Sequence, residues 1–135
     1  MIDQNAKKII IVEDEQYLRE LYIQILQQEG YSVDSAEDGD IAFEKLSKNQ
    51  YDLVLLDVIL PKMDGLQILE KLSKMGDRKF DNTVLLTNLG QDLVVAKALD
   101  YGVRGYMIKS DYTPEEMINE VKGYLENGEV KSALQ

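Results

Sequence analysis

The chain contains no cysteine and no histidine among its 135 residues. Without cysteine there is no disulfide, thiolate nucleophile, cysteine zinc site or iron–sulfur cluster. Without histidine there is no Ser-His triad, no imidazole metal ligand and no phosphohistidine. Chemistry must therefore use carboxylates, hydroxyls and amines, and any bound metal is expected to be a hard, oxygen-seeking cation such as Mg2+ or Ca2+. Basic residues are also scarce: 15 Lys and Arg stand against 25 Asp and Glu, a formal charge of −10. A protein that wraps phosphate backbones needs the opposite balance, so no direct nucleic-acid binding is expected. No run of about 18 apolar residues occurs, and Met1 to Asn5 do not form a charged-then-apolar leader. The expectation is a cytoplasmic protein of one domain with no membrane insertion.

What is present is a repeated alternation. The central stretch is Leu53-Val54-Leu55-Leu56, closed by Asp57, an unbroken apolar run suited to a parallel strand covered on both faces. Pro61 then ends the strand, and Asp64-Gly65 starts a helix. The first strand is Ile9-Ile10-Ile11-Val12, β-branched throughout, and it stops at Glu13-Asp14-Glu15. Leu18, Leu21, Tyr22, Ile25 and Leu26 recur at helical spacing before Gly30. A weaker strand covers Tyr31 to Ala36, and a short helix with Ile41, Ala42, Phe43 and Leu46 follows. Leu66, Leu69 and Leu72 stripe the next helix, and Thr83 to Thr87 is the fourth strand. The spacing predicts that Leu93, Ala96, Leu99 and Val95 supply the buried face of the following helix, before a fifth strand at Gly105 to Lys109. Thr113-Pro114-Glu115-Glu116 opens the last helix with a hydroxyl cap, a proline at the first position and a capping-box glutamate. Gly128 is expected to end it, which gives a domain over 1–128 and a short tail over 129–135. Five strand-then-helix units imply right-handed crossovers and helices on both faces of one sheet, a doubly wound five-stranded parallel α/β fold.

In such folds ligands bind beyond the carboxyl ends of the strands. The residues at those exits are Glu13 and Asp14, Asp57, Thr87 and Lys109. Each alone has a local explanation as a turn, cap or solvated strand end. Together they suit one chemistry. Three carboxylates on one edge repel unless a cation neutralises them, and with oxygen ligands alone the natural guest is Mg2+. A lysine and a hydroxyl beside that metal suit a phosphoryl group, and Asp57 on the central strand is the acid placed to accept it.

These motifs resemble the response-regulator receiver domain of two-component signalling, over roughly Lys7 to Asn127, in the layout of the stand-alone single-domain regulators. The resemblance implies the strand order 2-1-3-4-5. It implies that Asp57 is the phosphoacceptor, served by a sensor histidine kinase or a histidine phosphotransfer protein. It implies direct Mg2+ ligation by Asp14, Asp57 and the backbone carbonyl of Ile59, with Glu13 acting through water. Lys109 would pair with the phosphoryl oxygens, and Thr87 and Tyr106 would be the switch residues. Such a domain promotes its own phosphorylation and dephosphorylation without being a turnover enzyme. Its output would pass to a downstream protein target through the face formed by the fourth helix, fifth strand and fifth helix.

Two positions depart from the family pattern. Ser110 follows Lys109 where the family has a proline in a cis peptide, which leaves the Lys109–Ser110 peptide open as cis or trans. Asn88 follows Thr87 where a smaller residue is usual. A flavodoxin-like electron carrier is disfavoured by the charge of Glu13-Asp14-Glu15, which would repel a flavin phosphate. An aspartyl-phosphate phosphatase is disfavoured by Ile59, which stands where a second acid is needed. The alternative kept open is a receiver-like interaction module not controlled by phosphorylation.

Overall fold

Both faces of every central strand are buried, and this explains why the sequence shows unbroken apolar runs where an exposed sheet would alternate. The computed structural model describes residues 6–127; the expected helix end at Gly128 and the tail over 129–135 lie outside the described residues. The chain runs β1 (Lys8–Val12), α1 (Gln16–Gln28), β2 (Ser32–Ala36), α2 (Gly39–Lys48), β3 (Leu53–Asp57), α3 (Gly65–Ser73), β4 (Thr83–Thr87), α4 (Asp92–Leu99), β5 (Gly105–Ile108), a 3-10 turn (Lys109–Asp111) and α5 (Pro114–Asn127). The five strands are parallel and ordered β2-β1-β3-β4-β5. The order reverses between β1 and β3, which makes their carboxyl ends the switch point of the sheet.

Alternation along the strands feeds two cores. Ile10, Val12, Val54, Leu56 and Leu85 pack with Ala42 and Leu46 of α2, Ile68, Leu69 and Leu72 of α3, and Val95 and Ala98 of α4. Ile9, Ile11, Leu53, Leu55, Val84, Leu86 and Met107 face the other way, onto Tyr22 and Leu26 of α1 and Met117, Ile118 and Val121 of α5. Only an edge strand escapes this sandwiching, and β2 is accordingly half-buried along most of its length.

The helix starts obey local chemistry. Asp64 caps α3 with a full capping box, accepting from Gln67 N–H at 2.9 Å while the Gln67 side chain accepts from Asp64 N–H at 3.0 Å. Thr113 and Glu116 form the expected reciprocal pair at α5, at 3.1 and 2.8 Å. Asp38 caps α2 through Ile41 N–H at 2.9 Å.

Helix α4 differs from expectation. Its buried residues are Val95 and Ala98, whereas Leu93 is 81% exposed, Leu99 38% exposed, and Ala96 is exposed as well. The segment Asp92-Leu93-Val94-Val95-Ala96-Lys97-Ala98-Leu99 is apolar nearly all round, so spacing fits two stripes equally well. The smaller pair faces the sheet. At the end of β5 the strand stops one residue short of expectation, and Lys109 opens the 3-10 turn. No cis peptide occurs among the described residues, so Lys109–Ser110 is trans.

Candidate functional site

Asp57 ends β3, the middle strand of the sheet, and is 3% exposed. Its parity with Leu53 and Leu55 points it to the α1 and α5 side, as does that of Glu13 with Ile9 and Ile11. The turn that carries Lys109 brings its ammonium between these two acids, 2.6 Å from Asp57 Oδ2 and 2.5 Å from Glu13 Oε1. Backbone N–H groups hold the remaining oxygens: Ile59 N–H donates to Asp57 Oδ1 at 3.1 Å and Glu15 N–H to Glu13 Oε2 at 3.1 Å. Glu13, Asp14 and Asp57 each offer an oxygen within 4.8 Å of the others, and of the three only Asp14 is exposed.

Two features absent from the sequence reading hold this cluster in place. Arg19 of α1 reaches back to donate from Nη1 to the Glu13 carbonyl at 2.9 Å, which pins the turn that presents the acids. Gly65 sits against the exit of β3, where a Cβ would lie 2.9 Å from the Asp57 carbonyl oxygen and 2.9 Å from Val58 Cα. The glycine of the Asp64-Gly65 pair is therefore what lets α3 begin directly behind Asp57. Neither contact leaves a periodic signal; a guanidinium bonding a carbonyl six residues earlier is visible only once the turn is built.

One cation between two buried carboxylates leaves surplus negative charge. Burial pushes the Glu13 carboxyl up to about 7, Lys109 opposes the rise, and the Asp57 charge adds to it. Burial alone would pull Lys109 down, but its bonds to Asp57 and Glu13 outweigh that and hold it above the usual lysine value. An acid whose pKa is higher folded than unfolded binds its proton more tightly in the native state, so its contribution to stability falls between about pH 4.5 and 7 and is level above. We expect Glu13→Gln to remove most of that fall and to make the metal-free protein more stable by on the order of 1 kcal/mol at about pH 8. Urea midpoints across that range measure it; a variant that keeps the wild-type slope would place the titration elsewhere.

Thr87 and Tyr106 are not drawn into the acid–lysine cluster. Thr87 follows Leu85 in facing the α4 side and is 2% exposed, with its hydroxyl donating to Gln91 Oε1 at 2.6 Å and the Asn88 carbonyl, the alternative acceptor, 3.2 Å away. Tyr106 pairs with Leu85 across the sheet and packs half-buried on the same core, two residues back from Thr87 along that face. Asn88 is exposed, and Ile59 turns its side chain to solvent.

A sheet with this order carries three acids and a half-buried lysine together at its switch point, at the carboxyl ends of β1 and β3 and just beyond β5. The family of the response regulator receiver domain matches residues 9–122. Transcriptional regulatory protein ResD of Bacillus subtilis is 32% identical over 121 residues, covering 90% of this chain and 49% of that protein. Regulatory protein VanRc of Enterococcus gallinarum is 36% identical over 120 residues, covering 89% and 50%. A CheY-like receiver domain protein from Methanospirillum hungatei has a similar structure, with a TM-score of 0.77 at 28% identity over 90% of this chain and 95% of that one. The chain belongs to the response-regulator receiver domains of two-component systems. It spans about half the length of these curated relatives. No helix among the described residues is long and apolar enough to cross a membrane.

Proposed function

We propose that Asp57 accepts a phosphoryl group from a histidine kinase or histidine phosphotransfer protein in a Mg2+-dependent reaction, and that the new charge alters the face of α4, β5 and α5. The observation that carries this reading is the Asp57 carboxylate itself, buried at the end of the middle strand with Lys109 at 2.6 Å and two further acids alongside. A bare surplus of buried carboxylates is costly, and the geometry is accounted for if a cation and a phosphoryl group use it.

The donor set is all oxygen, which fits Mg2+, with Asp14, Asp57 and the Ile59 carbonyl as ligands and Glu13 acting through water. Bound there, Mg2+ would screen the acids and the incoming phosphoryl oxygens from one another. In transfer, an Asp57 carboxylate oxygen forms the bond to phosphorus while the donor's N–P bond breaks, its electron pair returning to the imidazole nitrogen. Ile59 N–H holds one carboxylate oxygen and so fixes the plane of the nucleophile. Lys109 gives up part of its bond to the carboxylate and pairs with the phosphoryl oxygens. Thr87 then turns its hydroxyl toward the phosphoryl, and Tyr106, on the same face of the neighbouring strand, moves further into the space beside it.

The unit performing this is residues 1–128, acting in the cytoplasm on a downstream protein target, without direct nucleic-acid contact. Intact mass after incubation with acetyl phosphate, with and without Mg2+, tests the reading. Wild type is expected to gain one phosphoryl group only with Mg2+, and Asp57→Asn none. No adduct together with no beryllofluoride complex would overturn it in favour of an interaction module that phosphorylation does not control.

A further inference from the structure

Gln91 occupies the N-cap position of α4, yet its side chain makes no cap bond to that helix. Instead it reaches back to the end of β4, where its Oε1 meets Thr87 Oγ1 at 2.6 Å and Asn88 N at 2.9 Å. Gly90 makes the return possible: its φ of +88° is a conformation other residues adopt at a cost. The direction of both bonds follows from chemistry. A backbone N–H can only donate, so the Gln91 atom that Asn88 meets is the amide oxygen, and that oxygen in turn obliges Thr87 to donate its only hydroxyl proton. One neutral acceptor thus occupies both donors at the exit of β4. That exit adjoins Asp57, whose register partner on β4 is Leu86, the residue before Thr87.

We propose that Gln91 is a positioning residue that acts through Thr87 and Asn88: its side-chain oxygen stands in for the phosphoryl oxygen in the unmodified protein, and phosphorylation must displace it. The inference rests on the reading of Asp57 as phosphoacceptor. The Thr87 hydroxyl cannot donate to Gln91 and to a phosphoryl group at once, having one proton. Each bond to Gln91 therefore opposes the modified state by about what a neutral hydrogen bond contributes, and its removal favours that state. A glutamine suits the position because it accepts two bonds without adding charge beside three carboxylates. Nothing in the fold of α4 needs this arrangement, since an uncapped helix start would be better served by a side chain turned onto its own N–H groups.

The experiment is the Mg2+-dependent affinity for beryllofluoride, followed by NMR of the Asn88 amide, in wild type, Gln91→Ala and Gln91→Met. Methionine keeps the length of the stem and lacks the acceptor, so it serves if alanine loosens the loop. Both variants are expected to bind about fivefold more tightly than wild type, the effect of losing a competing hydrogen bond of ordinary strength. The Asn88 amide resonance should shift in the free variants and again in wild type on binding. In a Thr87→Val background the gain from Gln91→Ala should shrink, because only the Asn88 donor is left to release. Unchanged or weaker binding in both variants, or an equal gain with threonine and with valine at position 87, overturns the proposal. Failure of wild type itself to bind beryllofluoride or to take phosphate from acetyl phosphate overturns the phosphoacceptor reading, and with it this one; wild-type binding with no response to Gln91 removes this one alone.

Discussion

Lys109→Met is expected to cost the fold about 3–5 kcal/mol at about pH 8, the scale of removing one partner from a buried ion pair. Methionine preserves most of the stem, so the loss measures charge rather than volume. In the wild type the Lys109 side chain is 12% exposed and its ammonium touches Glu13 and Asp57, whose side chains are 1% and 4% exposed. Without it, two buried carboxylates face each other and Asp14 with only backbone N–H groups for relief. The sign with pH follows. Glu13 already holds its proton up to about 7 in the presence of the lysine, and losing a group that lowers its pKa moves it higher. The protein can thus shed part of the repulsion by protonation, and the deficit should shrink as the pH falls from about 8 towards about 7 and be level below it, where both proteins hold that proton. The double variant Lys109→Met with Glu13→Gln should recover much of the stability at the higher pH. Urea denaturation at the two pH values decides. A Lys109→Met protein within about 1 kcal/mol of wild type at about pH 8 would show that the acids are not mutually confined as the distances imply.

The same cluster explains why so much of the site was legible before the fold was known. Ile9 to Val12, Leu53 to Leu56 and Thr83 to Leu86 read as strands because each alternately feeds the two cores, so every position had to be apolar or at least dry. Where such a run ends in Glu13, Asp57 or Thr87, the polar residue marks the edge of the sheet, and topology brings those edges together. Lys109 was legible for the same reason, one residue beyond β5. What escaped is of two kinds. Helix α4 is apolar around most of its circumference, so its period did not distinguish the Leu93 side from the Val95 side; only the sheet beneath it does. Arg19 and Gln91 act by side-chain bonds to backbone or hydroxyl groups on another segment, and neither spacing nor composition records where a long polar side chain will turn. The sequence marks the acids and the lysine that cluster; the groups that hold them were visible only in three dimensions.

Gly39→Ala is the second large effect, and it separates steric need from helix propensity. Gly39 opens α2, yet a Cβ on it would lie 1.6 Å from the Met63 carbonyl oxygen and 2.4 Å from its carbon. Those are backbone atoms, so no rotamer relieves the contact. The loop is tied to this spot on purpose of geometry: Gly39 N–H donates to the Pro61 carbonyl at 3.1 Å, Lys62 adopts φ +70°, and its ammonium lies 3.4 Å from Asp38. An alanine must push α2 off the β3–α3 loop, and we expect a loss of about 3 kcal/mol or more, at the upper end of overpacking. Because that loop also carries Ile59, whose N–H orients Asp57, the displaced loop should weaken beryllofluoride binding as well as the fold. Gly123→Ala supplies the contrast. It lies inside α5 with nothing within 4 Å of its added Cβ, so alanine there should stabilise by about 0.5–1 kcal/mol through helix propensity and leave ligand affinity alone. Thermal and urea denaturation of the two variants, with beryllofluoride titration, check both halves. If Gly39→Ala matched wild type in stability and affinity, the loop after Asp57 could not be seated against α2 as the close approach requires.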